Sequence, residues 1–266
     1  MAEKYKPIAI FDSGFGGLTA VRELRRIDPT ADILYLGDTA RVPYGVKSAD
    51  VIRRYADEAV AWLTKQHVAA IIVACGTVSS VALPSLKSSV PILGVVEPAA
   101  RAAAKATRSG KIGVAATPAT IRSGVYAPAI ARYNADAEII SRACPLFVPI
   151  VESGRTAPND PVAKVVVADQ LSELKAAGAD TLLLGCTHYP LLSDAISAYM
   201  GSEVTLINSG AEAALALSDL PLPDGGATRG GTLHCFVTDA PEDFNQYSEM
   251  FLGDLVPDSV NKIWLV

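Results

Sequence analysis

The sequence predicts an α/β fold of two similar domains, each a parallel sheet flanked by helices. Short apolar runs alternate along the chain with segments of helical periodicity, which is typical of parallel sheets. The pattern restarts near residue 110. Residues 111–118 resemble residues 8–13, because each segment is a predicted strand followed by a small hydroxyl residue and then a helix. Half of the 266 residues are hydrophobic, which is enough for two modest cores.

In the first part of the chain, each predicted strand is a short apolar run that ends near a polar residue or a glycine. The first strand covers residues 6–11, and a glycine-rich turn after Asp12 leads into a helix that ends near Ile27. Ser48 is a suitable N-cap for a helix to about His67, because its apolar residues share one face. The remaining predictions are strands at 32–36, 70–74 and 92–96, a loop at 41–45 and helices at 79–86 and 97–107.

The second part repeats this alternation. Leu182 to Leu184 predict a buried strand, because such strands are continuous apolar runs, and Pro190 suits the first turn of the next helix. Gly178 is expected to end a helix over residues 162–177. We also expect one strand that starts at 111 and further strands at 138–141, 147–151, 204–207, 233–237 and 262–265. The expected helices are at 190–200, 208–218 and 241–252, and a surface loop is expected at 220–231.

Composition argues against several classes of protein. The net charge is −5 and no run of Lys or Arg is present, whereas nucleic-acid-binding surfaces carry a basic patch. No apolar run approaches the roughly 20 residues of a membrane span, and the run after the first lysines is too short for a signal peptide. Four cysteines without a C-x-x-C motif do not indicate a disulfide framework. We therefore expect a reduced, soluble, cytoplasmic protein.

Two cysteines lie in similar positions. Cys75 and Cys186 each follow a predicted strand and precede a helix, and Thr77 and Thr187 lie close to them in sequence. Open α/β sheets bind ligands at the carboxyl ends of their strands, and a helix N-terminus there favours a thiolate. With one such motif in each domain, we expect both cysteines to face the cleft between the domains.

Two thiols on opposite sides of a cleft suit the inversion of a carbon acid. One thiolate removes a proton from one face and the other thiol donates a proton to the opposite face, and a thiol pKa near 8.5 makes both states reachable. The alternative is that both are buried core cysteines, since free cysteine is often buried. Cys144 and Cys235 lack this context, and we assign them to the core.

Three further polar residues are candidates for assisting these thiols. Asp12 ends the first strand and is a candidate orienting group or proton partner on the side of Cys75. His188 is two residues after Cys186 and either supports that thiol or binds a carboxylate. Glu152 is expected at the end of a strand in the second domain. For each acidic residue an ordinary cap or loop role is the alternative.

The glycines after the first strand partly match a dinucleotide-binding motif. Gly14 and Gly16 follow a strand, and Asp38 lies further on, as in such sites. However, Thr19 occupies the position of the third small residue, and Asp12 places negative charge where a pyrophosphate would bind.

Two other cysteine chemistries fit less well. A zinc site formed by Cys75, Cys186 and His188 would not have the spacing of a known zinc motif. A Cys–His hydrolase would use one thiol as its nucleophile and leave the second without a role.

Ordered motifs from residue 8 to about 210 resemble those of the glutamate racemases. They are Asp12-Ser13-Gly14, Gly16-Gly17-Leu18, Gly37-Asp38, Pro43-Tyr44-Gly45, Cys75 with Thr77, Gly94 with Glu97-Pro98, Thr117 with Ala119-Thr120, Val151-Glu152 with Gly154, and Gly185-Cys186-Thr187-His188. The histidine after Cys-Thr differs from the glutamate that the similar aspartate racemases usually carry.

This resemblance implies cofactor-independent interconversion of L- and D-glutamate, which supplies D-glutamate for peptidoglycan synthesis and so for cell wall biogenesis and cell shape. It implies that Cys75 and Cys186 are the acid/base catalysts and that Asp12, Glu152 and His188 assist them. The implied substrate-binding residues are Asp12, Ser13, Pro43, Tyr44, Gly45, Gly76, Thr77, Thr117, Thr120, Thr187 and His188.

The resemblance also implies a discontinuous first domain, residues 1–97 with 208–266, and a second domain at 98–207. It further implies a small-molecule substrate, a homodimeric assembly, and neither a cofactor nor a metal. Nucleic acid and membrane are not expected partners.

Two residues depart from the family pattern. Gly76 stands where the family usually has Asn, and Asn208 stands where Asp is common. We expect the missing side chain of Gly76 to leave a polar slot for ordered water, so that Gly76→Asn is tolerated. The competing interpretation is that glycine is required there, because its backbone has a positive φ or because another side chain fills the slot. The alternatives are a racemase of another acidic amino acid such as aspartate, or a weakened paralogue that only binds its ligand.

Overall fold

The structure is a computed structural model that describes residues 6–222, 230–239, 241–242 and 244–266. The strands are β1 Ile8–Asp12, β2 Ile33–Gly37, β3 Ala70–Val73, β4 Ile92–Gly94, β5 Lys111–Ala116, β6 Glu138–Ala143, β7 Thr181–Leu184, β8 Thr205–Asn208, β9 Leu233–Val237 and β10 Ser259–Lys262. The α-helices are α1 Leu18–Ile27, α2 Ala49–Thr64, α3 Gly76–Val81, α4 Val96–Ala106, α5 Pro118–Ser123, α6 Tyr126–Ala131, α7 Phe147–Glu152, α8 Pro161–Ala176, α9 Ser193–Met200, α10 Ser209–Ala216 and α11 Phe244–Leu252.

The strands form two parallel sheets. The first sheet has the order β10-β9-β2-β1-β3-β4 and the second has the order β6-β5-β7-β8. The segment β2-β1-β3-β4 of the first sheet therefore repeats the arrangement of the whole second sheet. This repetition, with helices packed on both sheets, confirms the predicted α/β fold with two similar halves.

Continuous apolar sequence explains the central strands. Every residue of β1 and of β7 is buried, because helices cover both faces of a parallel sheet. In β1, Ile8 and Ile10 belong to one hydrophobic core and Ala9 and Phe11 to another, as the twofold alternation of strand side chains requires. The first sheet thus has a separate apolar core on each face.

Polar residues and both candidate cysteines lie at the carboxyl ends of equivalent strands in the two sheets. Asp12 is the last residue of β1, and Thr117 directly follows its counterpart β5. Cys75 lies two residues after β3, and Cys186 lies two residues after β7. The predicted placement of both cysteines at strand ends is therefore confirmed.

The segment before Glu152 is a helix, which corrects the prediction of a strand at 147–151. Helix α7 buries Phe147, Ile150 and Val151, which lie at positions i, i+3 and i+4 of one helical face. Such a short apolar run fits both a strand and a helix when only periodicity is considered. Glu152 accordingly ends a helix rather than a strand.

Smaller differences concern element boundaries. Helix α3 starts directly after Cys75 instead of at residue 79, and a 3₁₀ helix at Tyr189–Leu192 precedes α9. The last strand covers Ser259–Lys262 instead of 262–265, because it pairs with β9 at the sheet edge and needs no continuous apolar run. Residues 223–229 of the predicted surface loop lie outside the described residues.

Candidate active site

A cavity of about 350 Å³ lies where the carboxyl ends of the two sheets meet. Residues from both halves line it, as predicted for the cleft. The predicted site residues in its wall are Ser13, Pro43, Tyr44, Gly45, Cys75, Gly76, Thr77, Thr117, Glu152, Cys186, Thr187 and His188. We refer to it as the central cavity.

Cys75 is buried in the wall that the first sheet contributes. Its Sγ lies 3.4 Å from the hydroxyl of Ser13. Burial, together with the negative charge of Asp12, raises the pKa of the Cys75 thiol to about 11, although the hydrogen bond with Ser13 opposes this rise. The thiol is therefore protonated at neutral pH.

Cys186 is buried in the wall that the second sheet contributes. Its Sγ lies 3.9 Å from Nδ1 of His188. Burial raises the pKa of this thiol as well, and the backbone N–H of His188 opposes the rise. The two thiols thus have similar burial but different neighbours, a hydroxyl for Cys75 and an imidazole for Cys186.

His188 connects the buried thiol with a carboxylate at the cavity edge. Its Nε2 lies 3.0 Å from Oε1 of Glu152, whose side chain is 44% exposed. The edge of the His188 ring also packs against Phe251 of α11. Because both ring nitrogens have partners, the imidazole is fixed in one orientation.

Asp12 lies behind the cavity wall instead of in it. One carboxylate oxygen accepts a hydrogen bond of 2.9 Å from the backbone of Gly14, and the other accepts one of 3.3 Å from the hydroxyl of Thr187. Burial raises the pKa of Asp12, and nearby His188 opposes this rise. Its contacts position two residues that do line the cavity.

A chain of threonine hydroxyls crosses between the two halves. The hydroxyls of Thr77 and Thr117 are 3.0 Å apart, and Thr117 donates to Thr120 over 3.0 Å. Thr77 and Thr117 line the cavity, whereas Thr120 is buried behind Thr117. The structure therefore brings together all three threonines, but only two of them face the cavity.

Some lining residues gave no signal in the sequence. Phe15 and Tyr247 stack with ring centroids 4.5 Å apart and close one side of the cavity. Tyr247 belongs to α11, and its approach to Phe15 depends on how the end of the chain packs against α1. Cys144 is buried as predicted but also belongs to the lining, together with Gly14, Val42, Val46, Pro118, Pro145, Val148, Pro149 and Tyr189.

Gly76 corrects the expectation of a slot for ordered water. A Cβ atom on Gly76 would lie 2.1 Å from the carbonyl oxygen of Gly185, which is less than a real contact allows. The space in the direction of a side chain is therefore occupied by backbone from the second half, and the expectation that Gly76→Asn is tolerated has no support from this geometry.

The described residues contain neither a cluster that could bind a metal ion nor a helix that could span a membrane. No group of three or more His, Cys, Asp or Glu side chains is arranged to hold a metal ion within the described part of the chain. None of the helices of that part combines the length and the hydropathy that crossing a membrane requires.

Comparison with known proteins gives a consistent result. The family model for Asp/Glu/Hydantoin racemases matches residues 19–217. The chain is 45% identical to a glutamate racemase from Geobacter metallireducens, and the alignment covers 96% of this chain and 95% of that protein. Among solved structures, a glutamate racemase isoform from Bacillus anthracis is similar with a TM-score of 0.92, 35% identity and 99% coverage of both chains.

The glutamate racemase from Francisella tularensis, solved in complex with D-glutamate, is similar with a TM-score of 0.86, 33% identity and 98% coverage of both chains. With the fold, the two thiols and these matches in agreement, the chain belongs to the Asp/Glu/Hydantoin racemase family and, within it, to the glutamate racemases, which are isomerases.

Proposed function

We propose that this racemase interconverts L- and D-glutamate with Cys75 and Cys186 as its two acid/base catalysts. The observation that carries the proposal is that both thiols line one cavity from opposite sheets, at equivalent strand ends. One thiolate removes the Cα proton from one face, and the other thiol donates a proton to the opposite face. Reversing the two protonation states reverses the direction of the reaction.

Glutamate is the proposed substrate because its charged groups match the polar lining. Ser13, Thr77, Thr117 and Thr187 line the cavity. Their hydroxyls are suited to hold the two carboxylates once the substrate replaces the present acceptors of Thr117 and Thr187. The related racemase solved with D-glutamate supports this assignment. Pro43, Tyr44, Gly45 and Gly76 complete the wall around the substrate.

The neighbours of each thiol supply the remaining proton chemistry. His188 accepts or returns the proton of Cys186, and Glu152 holds the imidazole in place. Asp12 orients the loop that carries Thr187 and, through its charge, favours the protonated form of Cys75. The ammonium group of the substrate favours a thiolate beside it, which offsets part of the effect of burial. Proton transfer of this kind requires no cofactor.

The proposal extends to the biological setting through the family. D-glutamate from this reaction would supply peptidoglycan synthesis in the cytoplasm. We also propose the division into residues 1–97 with 208–266 and residues 98–207, which is supported by the position of β9 and β10 in the first sheet. A homodimer is the proposed assembly.

The test follows the substrate Cα–H by NMR in D₂O with L-glutamate as the starting enantiomer. The parent protein should form D-glutamate that carries deuterium at Cα. Cys75→Ala and Cys186→Ala should each lower the rate of inversion by about 100-fold to 10,000-fold, because acid/base groups contribute on this scale. Cys235→Ala, which removes a buried thiol outside the cavity lining, is the matched control and should retain activity. Full turnover by either cavity variant would refute the two-thiol mechanism.

A further inference from the structure

The loops that carry the two thiols touch each other through their backbones. Gly76 follows Cys75 at the start of α3, and Gly185 precedes Cys186 after β7. A Cβ on Gly76 would meet the carbonyl oxygen of Gly185 at 2.1 Å, its carbonyl carbon at 3.1 Å and Cα of Cys186 at 3.8 Å. This contact between the two halves exists only because residue 76 has no side chain.

Hydrogen bonds and close packing hold the backbone on both sides of this contact in place. The N–H of Gly185 donates to the carbonyl of Ala115 over 2.8 Å, and a Cβ on Gly185 would meet Cβ of Ala116 at 2.9 Å. On the opposite side, the carbonyl of Gly76 accepts a hydrogen bond of 2.6 Å from the hydroxyl of Ser80. Both loops are thus held by their own sheet or helix.

Two other glycines at the junction of the halves differ in the kind of atom they face. A Cβ on Gly45 would meet side-chain atoms of Thr117 at 3.1 Å and beyond. A Cβ on Gly16 would meet the side chains of Thr187 and His188. Side chains are able to rotate away, whereas the carbonyl that faces Gly76 belongs to the backbone directly before a catalytic cysteine.

We propose that Gly76 is a positioning residue that sets the separation of the two thiols. This inference rests on the proposed two-thiol mechanism. A Cβ at position 76 would have to move from 2.1 Å to at least about 3.0 Å from the Gly185 oxygen, so the two loops would separate by about 1 Å. The family's usual Asn is therefore incompatible with this arrangement of the loops.

A wider separation acts mainly on the chemical step. Both sulfur atoms must reach opposite faces of the same Cα, and a misplacement of about 1 Å costs on the order of 100-fold in rate. The hydroxyls that hold the carboxylates rotate about their own side-chain bonds and are better able to follow a shift. The turnover number should consequently fall more than the apparent affinity for the substrate.

The experiment compares Gly76→Ala with Gly113→Ala. Gly113 is also a buried glycine, but a Cβ there would meet only side chains, the nearest being Leu182 at 3.1 Å, and it lies outside the cavity lining. We expect Gly76→Ala to lower kcat for both enantiomers by about 10- to 100-fold with KM within about threefold. Gly113→Ala should leave both constants close to those of the parent.

A second readout separates positioning from general damage. In D₂O, Gly76→Ala should increase the ratio of deuterium in the remaining starting enantiomer to deuterium in the product, because slower donation by the second thiol gives the first thiol more time to exchange the abstracted proton with D₂O and to return a deuteron. A kcat within twofold of the parent, or a rise in KM alone, would overturn the inference. If Cys75→Ala and Cys186→Ala also stay active, the two-thiol mechanism is refuted as well. If these two variants are inactive, the two-thiol mechanism is retained and only the role of Gly76 is refuted.

Ser80→Ala keeps the inference testable if Gly76→Ala does not fold. It removes only the hydrogen bond to the Gly76 carbonyl and should lower kcat by about threefold to tenfold without changing KM. The decrease should be smaller than for Gly76→Ala, because the loop would be displaced by less than the roughly 1 Å that costs on the order of 100-fold in rate. An unchanged kcat in this variant would contradict the inference.

Discussion

His188 links the Cys186 thiol to the Glu152 carboxylate, and the order of these contacts fixes its tautomer. An ionised carboxylate only accepts hydrogen bonds, so when Glu152 is ionised and His188 is neutral, the imidazole proton is on Nε2, 3.0 Å from Glu152. The lone pair of Nδ1 then faces Sγ of Cys186 at 3.9 Å. In this state His188 is able to accept the thiol proton, whereas the thiol of Cys75 contacts the hydroxyl of Ser13.

This arrangement predicts that His188→Asn lowers kcat by about 10- to 100-fold and changes KM little. Asparagine fills part of the space but cannot take up a proton, so an interaction used in proton transfer is lost. Steady-state rates in both directions measure the effect, and Glu152→Gln should show a smaller decrease of the same type. A rise in KM at unchanged kcat would instead identify His188 as a carboxylate-binding residue.

The raised pKa values of the thiols predict a pH dependence. At pH values below the thiol pKa, each increase of one pH unit raises the thiolate fraction about tenfold. Burial raises the pKa of Cys75 to about 11. The logarithm of kcat/KM should therefore increase with a slope of about 1 between roughly pH 6.5 and 8.5. A profile that is already flat near neutral pH would show that one thiol of the free enzyme is ionised there.

At the level of single residues, strand-end position was the informative signal. It predicted the placement of the two thiols, because parallel strands present their carboxyl ends to one edge. The family resemblance implied most of the lining hydroxyls, but it did not distinguish a residue in the wall from one behind it, so Asp12 and Thr120 were expected in contact with substrate. It also gave no sign of the Gly185 carbonyl beside Gly76, since that contact joins segments far apart in the chain.

Among the elements, the loop after β2 depends on one buried carboxylate. Asp38 is fully buried and accepts hydrogen bonds from Tyr44, from Nε of Arg41 over 2.6 Å and from the hydroxyl of Thr238 over 2.8 Å. Arg41 also pairs with Glu58 of α2. Asp38 thus ties the loop that carries Tyr44 to the end of β9.

Asp38→Asn should lower the free energy of unfolding by about 2–4 kcal/mol, because it removes one of the two carboxylates that pair with the partly buried Arg41 and replaces a buried hydrogen-bond acceptor by an amide. It should also raise KM, since Tyr44 would lose its anchor beside the cavity. Urea unfolding and steady-state kinetics measure the two effects. Arg53→Ala is the control, because its ion pair with Asp50 is exposed and should contribute less than about 1 kcal/mol. Equal stability of the two variants would contradict this role of Asp38.

Most elements were predictable because the apolar pattern of a covered parallel sheet is strong. The failures were elements in which that pattern is ambiguous or unnecessary. Helix α7 is only six residues long, so its three buried residues also fit a strand. Strand β10 lies at the sheet edge and is half-exposed or exposed throughout. The strand was therefore predicted at the more apolar residues 262–265.

At the scale of the whole molecule, four strands of the first sheet repeat the strand order of the second sheet, and the two sheets meet at their carboxyl ends. Direct hydrogen bonds already join the halves there, since Thr19 donates to the carbonyl of Thr187 over 2.9 Å and Thr187 donates to Asp12. The repeated sequence pattern predicted two halves, but the closeness of their contact comes from glycines whose partners belong to the opposite half.

Because both halves line the central cavity, a bound substrate should stabilise the molecule as a unit. At a ligand concentration 100 times the Kd, binding to the folded state adds about 2.7 kcal/mol. For a chain of this length that corresponds to an increase in Tm of about 5 °C. The measurement uses the double variant Cys75→Ala, Cys186→Ala, so that L- and D-glutamate remain unchanged during heating.

Each enantiomer should raise the Tm of a single unfolding transition, whereas alanine, which lacks the side-chain carboxylate, should not at the same concentration. A shift confined to one of two separate transitions would mean that glutamate contacts only one half. An equal shift with alanine would mean that the hydroxyls of Ser13, Thr77, Thr117 and Thr187 do not recognise the second carboxylate. Either result would contradict a site that depends on both sheets for its selectivity.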